Sequence, residues 1–111
     1  MESILTSIKK LLGIAEECSD FDPDIILHIN SVLMILTQLG IGPKNGFSIR
    51  DDQALWSDFI PDDTRLDAIR SFVYLKVRIL FDPPQSSVLL DAIKQNLSEM
   101  EWRLTIAAES L

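Results

Sequence analysis

Residues 22–40 read DPDIILHINSVLMILTQLG, and this stretch decides the fold. Asp22 followed by Pro23 is a helix start. An aspartate at the cap accepts from orphan backbone N–H groups, and proline at the first helical position has no N–H to lose. Phe21, just ahead, is spaced to pack on Ile26 as a hydrophobic staple. The helix should run to Leu39 and stop at Gly40, because glycine takes the left-handed C-terminal turn at little cost. Between these ends the surface is apolar nearly all round. At about 100° per residue, Asp24, His28, Ser31 and Gln38 form one narrow polar stripe with Ile35 in its middle. A helix of this kind must be covered on most sides, and a small domain can barely do that alone. A partner is the first implication.

A membrane span is the rival reading of the same stretch, since residues 25–43 carry no formal charge. Gly40, Gly42 and Pro43 end the helix early, however. At about 1.5 Å per residue, positions 23–39 reach roughly 26 Å, short of a hydrocarbon core of about 30 Å. A buried helix is expected. Glu2, Lys9 and Lys10 likewise break the basic-then-apolar order of a signal peptide.

Outward from this helix, the N-terminal stretch 3–16 places Ile4, Leu5, Ile8, Leu11, Leu12 and Ala15 at helical spacing, with Lys9 and Lys10 on the other side, and Gly13 weakens or stops it. After Gly40 the segment 41–61 carries the turn pairs Gly42-Pro43 and Asn45-Gly46. Phe47 and Ile49 alternate with Ser48 and Arg50, so a short extended arm or hairpin is possible there. Asp51-Asp52 would cap a short helix holding Leu55, Trp56, Phe59 and Ile60. This long connection is either a packed loop or a projecting arm.

Asp62-Asp63 caps the next helix, with Leu66, Ile69, Phe72, Val73, Val77 and Leu80 on one face and Arg65, Arg70 and Lys76 largely away from it. Asp82-Pro83-Pro84 terminates it, since proline forbids the helical amide and restricts the residue before it. Ser86 or Ser87 caps the last helix. There Leu90, Ile93, Leu97, Met100, Leu104 and Ala107 recur at spacings of three and four, a heptad seam. Glu99 stands four residues ahead of Arg103, the better order for a helical ion pair. The fold class is all-α: a small four-helix domain with a long loop or short arm between the second and third main helices. Ile29, Val32, Leu33 and Leu36 should be buried with Phe72, Val73 and Leu97.

Composition agrees and excludes several function classes. A chain of 111 residues with 47% apolar and 24% charged side chains is globular and has room for one domain, 1–111. Ten lysines and arginines against 17 acids leave a net charge of -7, which argues against gripping nucleic acid. The single cysteine, Cys18, allows no internal disulfide and no paired-thiol metal or redox motif, so a reducing compartment is the default. The acids Glu16, Glu17 and Asp20 around it are not the electropositive setting of a reactive cysteine, and no role is assigned to it. His28 is the sole histidine, and a lone imidazole in an apolar context assembles no catalytic constellation. The aspartate pairs 51–52 and 62–63 fit helix capping better than metal binding. No catalytic residue, metal ligand or cofactor is assigned.

The aromatic and apolar residues left over point to contact surfaces. One of Trp56 and Trp102 is expected in the core with its indole N–H bonded locally. Trp102 lies off the heptad seam beside Arg103, the composition of an interface hot spot. Candidate subunit or partner contacts are Ile35, Phe47, Trp56, Phe59, Trp102, Arg103 and Ile106, with the loop 41–60 and the end 102–111 freest to reach outward. A surplus of apolar surface without chemistry describes a subunit of an assembly.

Several ordered segments also resemble a known family. Asp24-Ile25-Ile26-Leu27-His28-Ile29-Asn30, Leu39-Gly40-Ile41-Gly42 and Trp56-Ser57-Asp58-Phe59 look like landmarks of tailed-phage head–tail connector proteins. Tyr74-Leu75-Lys76-Val77-Arg78-Ile79-Leu80-Phe81-Asp82-Pro83-Pro84 and Glu101-Trp102-Arg103 extend the likeness over nearly the full chain. The resemblance implies a head-completion adaptor: a homo-oligomeric ring, a dodecamer in the virion, beneath the portal protein. It would extend the DNA channel toward a stopper or tail-completion protein. DNA would pass without specific binding, no membrane would be involved, and the protein would reside at the virion head–tail junction after assembly in the host cytoplasm. Two other classes fit the residues alone. One is a helical regulator or assembly chaperone dimerising through the heptad seam; the other is an enzyme subunit completed by a partner.

Overall fold

The computed structural model describes residues 2–61 and 65–109, with the backbone alone at 109. Among these residues it contains five helices: α1 (Ile4–Leu12), α2 (Asp22–Gln38), α3 (Trp56–Phe59), α4 (Leu66–Phe81) and α5 (Ser87–Glu109). The all-α expectation holds, with four main helices and the short α3 inside the long connection. α2 packs chiefly on α4; α4 also carries α5 and α1, and α1 touches α2. The result is a slab of 39 × 36 × 21 Å. Its core joins Ile29, Val32, Leu33 and Leu36 of α2 to Phe72 and Val73 of α4 and Leu97 of α5, all buried as expected.

The end of α2 follows from its sequence. Leu39 closes the helix, and Gly40 takes φ +93°. The Ile41 N–H then donates to the Leu36 carbonyl at 2.9 Å and the Gly40 N–H to that of Thr37 at 3.0 Å. This is the two-bond glycine stop, and it seats Ile41 in the core. Thr37 and Ser31 sit inside an apolar helix because their hydroxyls donate back to the carbonyls of Leu33 and Leu27.

The start of α2 differs from expectation. Asp22 is the first helical residue and makes no cap with its side chain. Its carboxylate lies 3.0 Å from the ammonium of Lys9. Lys9, expected on the polar side of α1, is buried, and its Nζ also donates to the carbonyls of Cys18 (2.7 Å) and Glu16 (3.0 Å). A buried ammonium must be fully partnered, and an aspartate within its reach serves that need rather than a neutral cap. The cation thereby ties α1, the turn after it and the head of α2 together. The Phe21 ring meets that of Phe81 edge-on, with centroids 5.6 Å apart. Leu11, counted on the apolar face of α1, is about half exposed.

The connection between α2 and α4 is a packed loop. No strand forms among the described residues, and the alternation at 47–50 does not become a hairpin. Instead the Asn30 side chain grips Ile49 at both backbone groups, accepting from its N–H at 2.7 Å and donating to its carbonyl at 3.0 Å. An amide side chain that satisfies both groups does the work of a neighbouring strand. Asp51 does not cap α3; it accepts from the Gln53 N–H within its own turn, while Asp58 reaches back to the Leu55 N–H at 2.8 Å. The Asp62-Asp63 cap lies outside the described residues. The N-terminal strand-like residues finish the seal: Ile4 N–H donates to Ala54, and Trp56 N–H to Glu2.

α4 ends at Phe81 with Asp82 as its cap, as the two prolines require. Ser86 Oγ accepts from the Leu89 N–H at the head of α5. Along α5, Ile93, Leu97 and Leu104 are buried and Leu90, Met100 and Ala107 half-buried. The middle of the heptad seam, Ile93, Leu97, Met100 and Leu104, therefore packs on the core, where α5 lies on α4.

Candidate interaction surface

The sequence-derived contact residues separate into two sets. Trp56 and Phe59 are core residues, each about 2% exposed. The Trp56 indole N–H donates to Ser7 Oγ at 2.8 Å, and the Ser7 hydroxyl donates in turn to the Ile4 carbonyl at 3.0 Å. Every polar group of that buried pair is satisfied, so Trp56 fulfils the expectation of one core tryptophan. Phe59 packs against Gly42, whose φ of +91° and lack of a Cβ admit the ring. Neither side chain can meet a partner without unfolding the loop, and the candidate surface narrows to the other five.

Trp102 is 65% exposed and Ile106 46%. Four residues apart, they share the outer side of α5. Arg103 beside them is exposed and bonds Glu99 at 2.6 Å, the ion pair read from the sequence. Ile35 is half-buried where α2 meets α4 and α5. Phe47 is half-buried with its ring 5.5 Å from that of Phe59, beside a shallow hollow that also involves Met34. These five residues do not form one patch: they divide between the outer side of α5, the α2–α4–α5 junction and the loop.

Exposed apolar side chains that the sequence reading passed over enlarge the picture. Leu27 and Met34, seven apart on α2, are more than 60% exposed and lie beside the polar stripe of Asp24, Ser31 and Gln38. Leu80, placed by its spacing on the buried face of α4, is 51% exposed, and Val88 at the head of α5 is 80% exposed. Helical spacing alone could have found Leu27 and Met34. Leu80 had no such signal, because its spacing puts it on the same face as the buried Ile69, Val73 and Val77.

Among the described residues no group of three histidines, cysteines, aspartates or glutamates comes together. His28 is half-buried and Cys18 is a half-buried free thiol. Among the described residues no helix is long and apolar enough to cross a membrane.

The fold is a thin helical slab that leaves large apolar side chains outside its core. A family model described as phage connector protein matches residues 4–110, nearly the whole chain. The chain belongs to the phage connector protein family, a structural family of the phage particle. Curated proteins and solved structures gave no match.

Proposed function

We propose that this chain is a head-completion adaptor: a structural subunit that forms a ring beneath the portal, extends the DNA channel and presents the face to which a stopper or tail attaches. The observation that carries this reading is the exposed Trp102–Ile106 side of α5 in a chain of the connector family. A ring needs one surface of each subunit to fit a different surface of the next, closed by rotation. Apolar residues outside the core on separate sides of the slab meet that need. The net charge of -7 suits a channel through which DNA slides, because like charge prevents the sticking that a basic lining would cause. DNA passes without being bound, and the subunit performs no catalysis. Its site of action is the head–tail junction of the virion, reached from the host cytoplasm, with the dodecamer as the expected order in the particle.

The test is Trp102→Ala in the phage. Filled heads that leak DNA and remain tailless, with the purified variant still folded, are the expected result. Normal joining of heads to tails would remove this side of α5 from the interface.

A further inference from the structure

The loop between α2 and α3 is pinned at both ends and loosely laid between them. Ile41 and Trp56 are buried, and of the thirteen residues 43–55 Ile49 alone is buried with them. Phe47, Ala54 and Leu55 are half-buried, and the other nine are exposed. Much of the backbone bonding stays close to home. The Gly46 N–H donates to the Pro43 carbonyl at 3.0 Å, and the Gln53 N–H to the Asp51 carboxylate at 2.9 Å. Such bonds lie inside the stretch and move with it.

Its fastenings to the helices are few. Asn30 of α2 holds both backbone groups of Ile49, and the Ile4 N–H at the head of α1 donates to the Ala54 carbonyl at 3.0 Å. The Phe47 ring leans on that of Phe59, 5.5 Å between centroids. Between residues 44–48 and Asn30, Met34, Thr37 and Gln38 of α2 lies an open hollow of about 480 Å³. Few buried apolar contacts and exposed backbone bonds mark a segment whose local opening takes far less free energy than global unfolding.

We propose that residues 43–55 form a flap that lifts as one unit from α1 and α2 while the helices stay packed, with Ile49 as its peg and Asn30 as its catch. The ends stay seated through Ile41 and through Trp56, whose indole is tied to Ser7. Lifting the peg draws Phe47 off Phe59, frees the Ile4 N–H and leaves an apolar seat on α2 with the Asn30 amide beside it. Asn30 is only half-buried, so on release its amide bonds water and no buried polar group is orphaned. The closed flap is the packed loop of this structure; the lifted flap is the projecting arm that the sequence also allows. The flap follows from the fastenings of the loop and is independent of the adaptor function.

Hydrogen exchange of the purified chain, followed amide by amide by NMR through a series of low denaturant concentrations, tests the flap. The N–H groups of Ile49 and Ile4 are the markers, because each donates across a different fastening. Both should exchange through one opening with a shallow denaturant dependence, since little surface is bared, and at least about a hundredfold faster than the steeply dependent Val73 in the middle of α4. Asn30→Ala should speed both markers by the same factor, about tenfold for two lost hydrogen bonds. Ile49 sharing the protection and the steep dependence of Val73 would overturn the flap, because the loop would then open only with the whole molecule. Faster exchange at Ile49 with Ile4 unmoved in Asn30→Ala would overturn its motion as one unit. The series on the parent chain needs no variant to fold, and the joining of heads to tails tests the adaptor function separately.

Discussion

Trp56 and Trp102 are the same side chain in opposite settings. Trp56 sits at the head of a four-residue helix in a loop, yet it is almost wholly buried, with its N–H bonded to Ser7. Trp102 sits on the longest helix, yet two-thirds of it faces solvent. The regular element exposes its aromatic and the irregular one hides it. The loop 41–61 has little regular structure of its own and is held by its side chains: Ile41, Ile49, Trp56, Phe59 and Ile60 all point inward. α5 satisfies its backbone internally and needs only one face for packing. Its other face is free to serve assembly.

The comparison breaks first at Trp56. Trp56→Ala should cost about 3–5 kcal/mol, because it opens a large cavity and strips Ser7 of its partner. Denaturant unfolding measures this, and a cost close to that of Trp102→Ala would erase the distinction between the two sites. Lys9→Met should come next, at about 3 kcal/mol. It leaves the Asp22 carboxylate and two carbonyls without their shared cation, and removing one partner of a buried pair is strongly destabilising. A melting temperature unchanged from that of the parent would show that the cation ties nothing together. Trp102→Ala should change the stability of the isolated chain by no more than about 0.5 kcal/mol, since an exposed side chain away from caps and networks contributes little. The proposed adaptor function places its effect in assembly instead. His28→Ala should be smallest of all, within about 0.5 kcal/mol and with joining of heads to tails intact. Loss of joining with the fold preserved would give that histidine a role it is here denied.

The part of the fold legible in the sequence was the part governed by period and punctuation. The glycine stop at Gly40, the Asp82-Pro83-Pro84 terminator and the middle of the seam, from Ile93 to Leu104, each follow from local rules, and each stands where those rules put it. Lys9 was misplaced because α1 alone gives no reason to bury an ammonium. The reason lies in Asp22 and two carbonyls brought beside it by the turn at Gly13. The role of Asn30 was hidden for the same reason: its partner Ile49 is nineteen residues away, and no periodicity links them. On the surface, Trp102 stood out by lying off the seam. The groove between α2, α4 and α5, lined in part by Lys76 and Lys94, did not, since it is made by three helices at once. Local rules place helices, whereas a groove belongs to the angles between them.

The central claim is that the outer face of α5 exists for assembly on the portal. Electron microscopy of the purified chain mixed with the portal protein of the same phage tests it most directly. The account predicts a closed ring of this subunit seated on the portal and coaxial with its channel, lost in Trp102→Ala. A stable two-fold dimer that leaves the portal bare would contradict it.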